Sequence, residues 1–128
     1  MEKNREPFIV AIDFDATICD SNWPDFGNPI EGAIEHIQKL HALDGLFIII
    51  WTCRTGNAIE EVSCWLDKHK VPFHTINEAC PYSLQLYGND SRKIGAEVYV
   101  DDKQVGGLPP WKDIYKWILT KYNEKYNG

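Results

Sequence analysis

Two uninterrupted apolar runs, each ending abruptly in polar chemistry, constrain this chain more than any other feature. Pro7-Phe-Ile-Val-Ala-Ile12 leads into Asp13-Phe-Asp15-Ala-Thr17, and Leu46-Phe-Ile-Ile-Ile-Trp51 leads into Thr52-Cys-Arg54. Runs of this length without alternation read as strands buried on both faces, the pattern of a parallel sheet covered by helices. Between them, Glu31–Leu43 carries Ala33, Ile34, Ile37, Leu40 and Leu43 at helical spacing. Gly45 stands where a helix C-cap is expected.

The same alternation continues along the chain. Asn57–Lys68 reads as a helix with Ile59, Val62, Trp65 and Leu66 inward. Lys68, His69 and Lys70 suit its negative end, and Pro72 forbids continuation. Phe73–Ile76 is a short third strand, Glu97–Val100 a fourth, and Trp111–Tyr126 a last helix. Trp111, Ile114, Tyr115, Ile118 and Tyr122 make one apolar stripe along that helix. Residues 14–29 and 77–93 read as irregular, and the second is long enough for a connection to suggest a functional loop. The expectation is α/β: one Rossmann-like domain over residues 1–128, a mainly parallel sheet flanked by helices.

Charge and cysteine usage narrow the function classes. The net charge is −6, from 19 acids against 13 bases, which argues against non-specific binding to a nucleic-acid backbone. No apolar run approaches the roughly 20 residues of a membrane span. The charged start Met1–Glu6 enters the first strand with no leader-like segment. Cys19, Cys53, Cys64 and Cys80 form no CxxC and no zinc spacing. A cytoplasmic protein with reduced thiols is expected.

Open parallel sheets bind ligands beyond the carboxyl ends of their strands. Asp13 and Asp15 follow the first strand, Thr52 and Arg54 the second, and Asp101, Asp102 and Lys103 the fourth. If these strands are neighbours, their ends converge on one acidic pocket. Asp13 and Asp15, two apart in extended chain, can point the same way. Carboxylates gathered so closely need a cation, and an all-oxygen donor set suits Mg²⁺, which also binds substrate phosphate. Arg54 has two readings: a fork onto phosphate or a substrate carboxylate, or a surface ion pair with Glu60 or Glu61. Cys53 reads as inert packing at the end of a buried strand. His36 and His41 read as part of a solvated helix face, His74 as a core residue. Asn22 and Trp23 sit in the loop after Asp15, where they could line the entrance, and Trp23 reads rather as a packing residue.

The stretch Phe8-Ile-Val-Ala-Ile-Asp13-Phe-Asp15-Ala-Thr17 resembles the first motif of the haloacid dehalogenase superfamily, an apolar strand ending in D-x-D-x-T. The strand ending in Thr52 is similar to the second motif, and Tyr99-Val-Asp101-Asp102 to the fourth. Lys93 is the best match for the third motif's lysine, with Lys70 and Lys103 as substitutes. The resemblance implies a capless catalytic core and a Mg²⁺-dependent phosphatase. Asp13 would attack phosphorus to form an aspartyl-phosphate. Asp15 would act as general acid and base, and Thr52 and Lys93 would hold phosphoryl oxygens. Asp13, Asp101, Asp102 and the Asp15 backbone carbonyl would hold the cation. Where Ala16 stands the family commonly has Gly, so the turn after the strand is expected to differ.

No inserted segment is long enough for a cap domain, so the resemblance implies an open site. Such a site suits a phosphorylated small molecule covered by a homo-oligomer, or phosphate on a nucleic-acid end or a protein. Two other classes remain at this level. A receiver-like phospho-acceptor shares the acids, Thr and Lys, but places its acid pair first. A non-catalytic interaction domain could also retain the fold.

Overall fold

The computed structural model describes residues 5–127. Four strands, β1 (Phe8–Asp13), β2 (Leu46–Trp51), β3 (Thr75–Ile76) and β4 (Val98–Val100), form one sheet in the order β3-β2-β1-β4. Every pairing is parallel. The helices are α1 (Ala33–His41), α2 (Asn57–Lys68), α3 (Pro81–Tyr87) and α4 (Trp111–Asn127). The expected α/β architecture with a parallel sheet is therefore the observed one. Among the described residues, no helix is long and apolar enough to cross a membrane.

Successive strand residues point to opposite faces, and the two faces here are covered unequally. Phe8, Val10 and Ile12 of β1, Ile48 and Ile50 of β2, and Val100 of β4 pack with α1, α2 and α4 in the main core. Trp111, Ile37, Leu40, Leu66 and Ile118 are fully buried there. The opposite face carries Ile9, Ala11 and Ile49, covered only by Cys80, Ile94 and the partly buried Ala79, Tyr82 and Ala96. All three long helices thus lie on one side, and the other side has a thin cover drawn from residues 79–96.

The long connection contains an element that its composition hides. Residues 77–93 are not wholly irregular: Pro81–Tyr87 is α3, with Pro81 in its first turn and Gly88 left-handed at its C-cap. None of its residues is buried, so no apolar periodicity marks it. The third strand is shorter than expected, because Phe73 packs at the core margin while only Thr75 and Ile76 pair with β2.

Three side chains depart from their expected settings. His36 is buried on α1 rather than solvated, its Nδ1 2.7 Å from the Gly32 carbonyl. His74 lies exposed at the sheet edge, stacked on His41 and Phe47, with Nδ1 accepting from the Ile48 N–H at 2.9 Å. Cys53 is exposed rather than packed, because the chain turns outward one residue beyond the strand.

Candidate functional site

β1 lies between β2 and β4, so the carboxyl ends carrying Asp13, Thr52 and Asp101 are adjacent. The chain leaves β2 towards one edge of the sheet and reaches β4 on the other side of β1, which makes the β1–β4 boundary the crevice where such sheets bind ligands.

Asp13, Asp101 and Asp102 meet there. One carboxylate oxygen from each lies within 4.8 Å of the others. Thr17, fully buried, ties the cluster together. Its hydroxyl donates to Asp13 Oδ2 at 3.1 Å and accepts from the Asp102 N–H at 3.1 Å. The Thr17 carbonyl in turn accepts from Trp111 Nε1 at 2.9 Å, which anchors the turn to α4. Thr17 belongs to the D-x-D-x-T pattern, yet its role as a link between two strand ends is not legible from spacing.

The turn between Asp15 and Thr17 keeps the backbone that glycine would adopt. Ala16 has φ 61°, in the left-handed region, and points to solvent. The closing bonds from the Thr17, Ile18 and Cys19 N–H groups to the Phe14 carbonyl hold Ala16 in that conformation.

Burial pushes the Asp13 carboxyl up to about 8, reinforced by the neighbouring Asp102 and Asp101 carboxylates and opposed by the Thr17 hydroxyl. Such a cluster is relieved either by a proton or by a cation. Its donors are all hard oxygens, the set that suits Mg²⁺. The Asp15 carboxylate is not part of the group.

Asp15 instead faces Arg54. Arg54 Nη2 donates to Asp15 Oδ1 at 2.7 Å, and Nε donates to Oδ2 at 3.0 Å. Ser21 Oγ adds a bond to Oδ1 at 2.6 Å. Arg54 is 5% exposed, donates from Nη1 to the Pro24 carbonyl, and lies between the rings of Trp23 and Phe26 at 4.5 and 4.4 Å. The surface ion pair with Glu60 or Glu61 is corrected: the carboxylate onto which Arg54 forks is that of Asp15. The loop over residues 20–26 wraps the guanidinium and removes it from the surface. Trp23 caps Arg54 while staying 61% exposed.

Thr52 is buried at the end of β2, and its hydroxyl accepts from the Arg54 N–H at 3.1 Å. Asn77 clamps its backbone: Thr52 N–H donates to Asn77 Oδ1 and Asn77 Nδ2 donates to the Thr52 carbonyl, both at 2.8 Å. Asn77, itself left-handed at φ 56°, was not singled out from sequence. An Asn after a short strand carries a turn signal but no hint of its partner.

A pocket of about 260 Å³ opens on the thinly covered face, and Asp13, Asp101 and Lys93 are among the residues that line it. Lys70 follows α2, at the amino end of the strands, and Lys103 donates its backbone N–H to Asp101 Oδ1 at 2.9 Å without lining the pocket. Of the three candidate lysines, Lys93 is the one at the pocket.

No family model matches the chain, and no curated protein matches it. A solved structure, described as the conserved protein coded by a locus from Bacteroides thetaiotaomicron, is 30% identical with TM-score 0.79. The match covers 96% of this chain and 100% of that one. The two chains belong to one family. The likeness extends over nearly the whole chain and bears on its architecture.

Proposed function

We propose that this protein is a Mg²⁺-dependent phosphomonoester hydrolase of the haloacid dehalogenase type. The observation that carries the reading is one pocket at the β1–β4 boundary that brings Asp13 and Asp101 together with Lys93, with Asp102 beside them. Asp13, Asp101 and Asp102 would hold the cation. When bound, Mg²⁺ supplies charge compensation for the carboxylates and for phosphoryl oxygens.

The chain's own groups then divide the work. The Asp13 carboxylate attacks phosphorus, and the bond from phosphorus to the ester oxygen breaks. Asp15 delivers a proton to that leaving oxygen. Water next attacks the aspartyl-phosphate, Asp15 takes the water's proton, and phosphate leaves with Asp13 restored. The Lys93 ammonium faces the transferring oxygens. The scheme requires Asp15 to loosen its contacts with Arg54 when a substrate arrives. A substrate phosphate, a cytosolic setting in which the four thiols stay reduced, and an uncapped site open to small esters complete the reading.

Turnover of 4-nitrophenyl phosphate tests it. Activity should need Mg²⁺, vanish in excess chelator, and fall by about 10³-fold or more in Asp13→Asn. Full activity in chelator would sink the reading. Asp15→Asn should accumulate a phosphate adduct with this activated ester, seen by intact mass after acid quench. With an alkyl phosphate it should lose about 10²–10⁴-fold in rate and form no adduct. A stable adduct on the wild type would favour a phospho-acceptor instead.

A further inference from the structure

We infer that the pocket beside Asp13 selects a phosphomonoester whose leaving group is a single flat ring, joined to the phosphoryl oxygen directly or through one carbon. This deepens the hydrolase reading and rests on it for the position of the phosphoryl group.

Strand register sets up the pocket. Along β1, Ile9, Ala11 and Asp13 face the thinly covered side of the sheet. Asp13 stands opposite Trp51 on β2, and Ala11 stands opposite Tyr99 on β4. Neighbouring strands run about 4.8 Å apart, so two aromatic side chains flank the strand that carries the nucleophile. Ala11 contributes only a methyl group to the floor between them. Ala11, Trp51 and Tyr99 thereby line the same 260 Å³ space as Asp13, Lys93 and Asp101.

The two rings meet edge to face, with centroids 6.0 Å apart and an interplanar angle of 69°. No third ring fits between them, so a ligand ring packs on their pocket side. The Tyr99 hydroxyl donates to the Ile94 carbonyl at 2.7 Å, which fixes the ring, yet Tyr99 stays 39% exposed. Lys93 Nζ sits 5.0 Å from the Tyr99 centroid. A phosphate paired with Lys93 would hold its ester group against this aromatic wall. An enclosed cavity of about 150 Å³ holds one benzene ring, so a pocket of about 260 Å³ has room for one ring beside a phosphoryl group.

Phosphonates, which cannot be hydrolysed, read the slot without turnover. Calorimetric titration in Mg²⁺ should show benzylphosphonate binding about three- to tenfold tighter than ethylphosphonate, and Tyr99→Leu or Trp51→Leu should bring the two within about twofold. Trp51 packs on the smaller core and its variant could lose the fold; Tyr99 is exposed, so Tyr99→Leu keeps the test decisive. In turnover, benzyl phosphate should exceed cyclohexylmethyl phosphate in kcat/KM, since the two share the linkage and differ in the flat ring. Equal affinity for the two phosphonates, or no binding of either, overturns the slot even if both esters are hydrolysed. A persistent benzylphosphonate preference with neither ester hydrolysed upholds the slot and removes the hydrolase reading instead.

Discussion

Arg54 and Asp15 form a two-point ion pair across the ends of neighbouring strands, with Nη2 to Oδ1 at 2.7 Å and Nε to Oδ2 at 3.0 Å. The guanidinium is buried and the carboxylate four-fifths covered, so each group depends on the other for compensation. The pair also fastens the loop over residues 20–26 to β2, because Arg54 reaches the Pro24 carbonyl and lies between Trp23 and Phe26. With the Ser21 hydroxyl bond to Oδ1 at 2.6 Å, it fixes the Asp15 carboxylate, and the proposed acid–base role would have to work against both contacts.

A double-mutant cycle with Arg54→Met and Asp15→Asn should give a coupling of about 1.5–3 kcal/mol, the range for hydrogen bonds to charged groups. Denaturant melts of the four proteins supply the number. A coupling near zero would mean that the pair is an accident of packing.

Asp13 makes the metal-free protein sensitive to base. Its ordinary value is 3.8 and burial beside Asp102 and Asp101 raises it to about 8. Below the ordinary value both folded and unfolded chains hold the proton, and the contribution to stability is complete. Above it the unfolded chain releases the proton while the folded chain keeps it, so stability falls as pH rises and the loss is complete above about 8. Thermal melts in chelator should therefore show Tm falling from about pH 4 to about pH 8. Asp13→Asn should flatten that slope and raise Tm at its alkaline end. A wild-type Tm independent of pH across this window would contradict the crowding of the acids.

Thr17→Val removes the hydroxyl that accepts from Asp102 N–H and donates to Asp13. Leaving that buried N–H unpaired should cost about 1–3 kcal/mol. Calorimetry should show Mg²⁺ binding about 10–100-fold weaker, the usual effect of removing a residue that orients ligands. Thr17→Ser keeps the hydroxyl and should recover most of the affinity; failure to do so would shift the role to the methyl group's packing.

Ala16→Gly should stabilise the fold. A left-handed Ala costs about 1–2 kcal/mol, and the extra chain entropy of Gly returns about 0.4–1 of that, so a net gain of about 0.5 kcal/mol is expected. Ala16→Val, with a branched side chain at φ 61°, should move Tm the other way. A lower Tm in the Gly variant would show that the turn is held by something other than backbone preference.

The elements lay open in the sequence wherever burial follows a local period. Phe8–Asp13 and Leu46–Trp51 are continuous apolar runs, and α2 appears at the residues its spacing predicts. α3 escaped because it buries nothing and so leaves no pattern to find. Asp13, Asp101 and Asp102 were legible as a group because each ends a strand, and strands that run parallel bring like ends together. Lys93 was legible only through its order relative to Asp101.

What the sequence determined by itself is the strand–helix order and the chemistry at each strand end, since both follow from side chains a few positions apart. Tertiary structure alone decided the partners. Asp15 and Arg54 are 39 positions apart, Thr17 and Asp102 are 85 apart, and neither spacing encodes a contact. Trp51 and Tyr99 came to flank the strand that carries Asp13 because register is set by hydrogen bonds between strands. Those bonds count residues across the sheet and not along the chain, so the side chains that share a pocket are known only once the sheet is assembled.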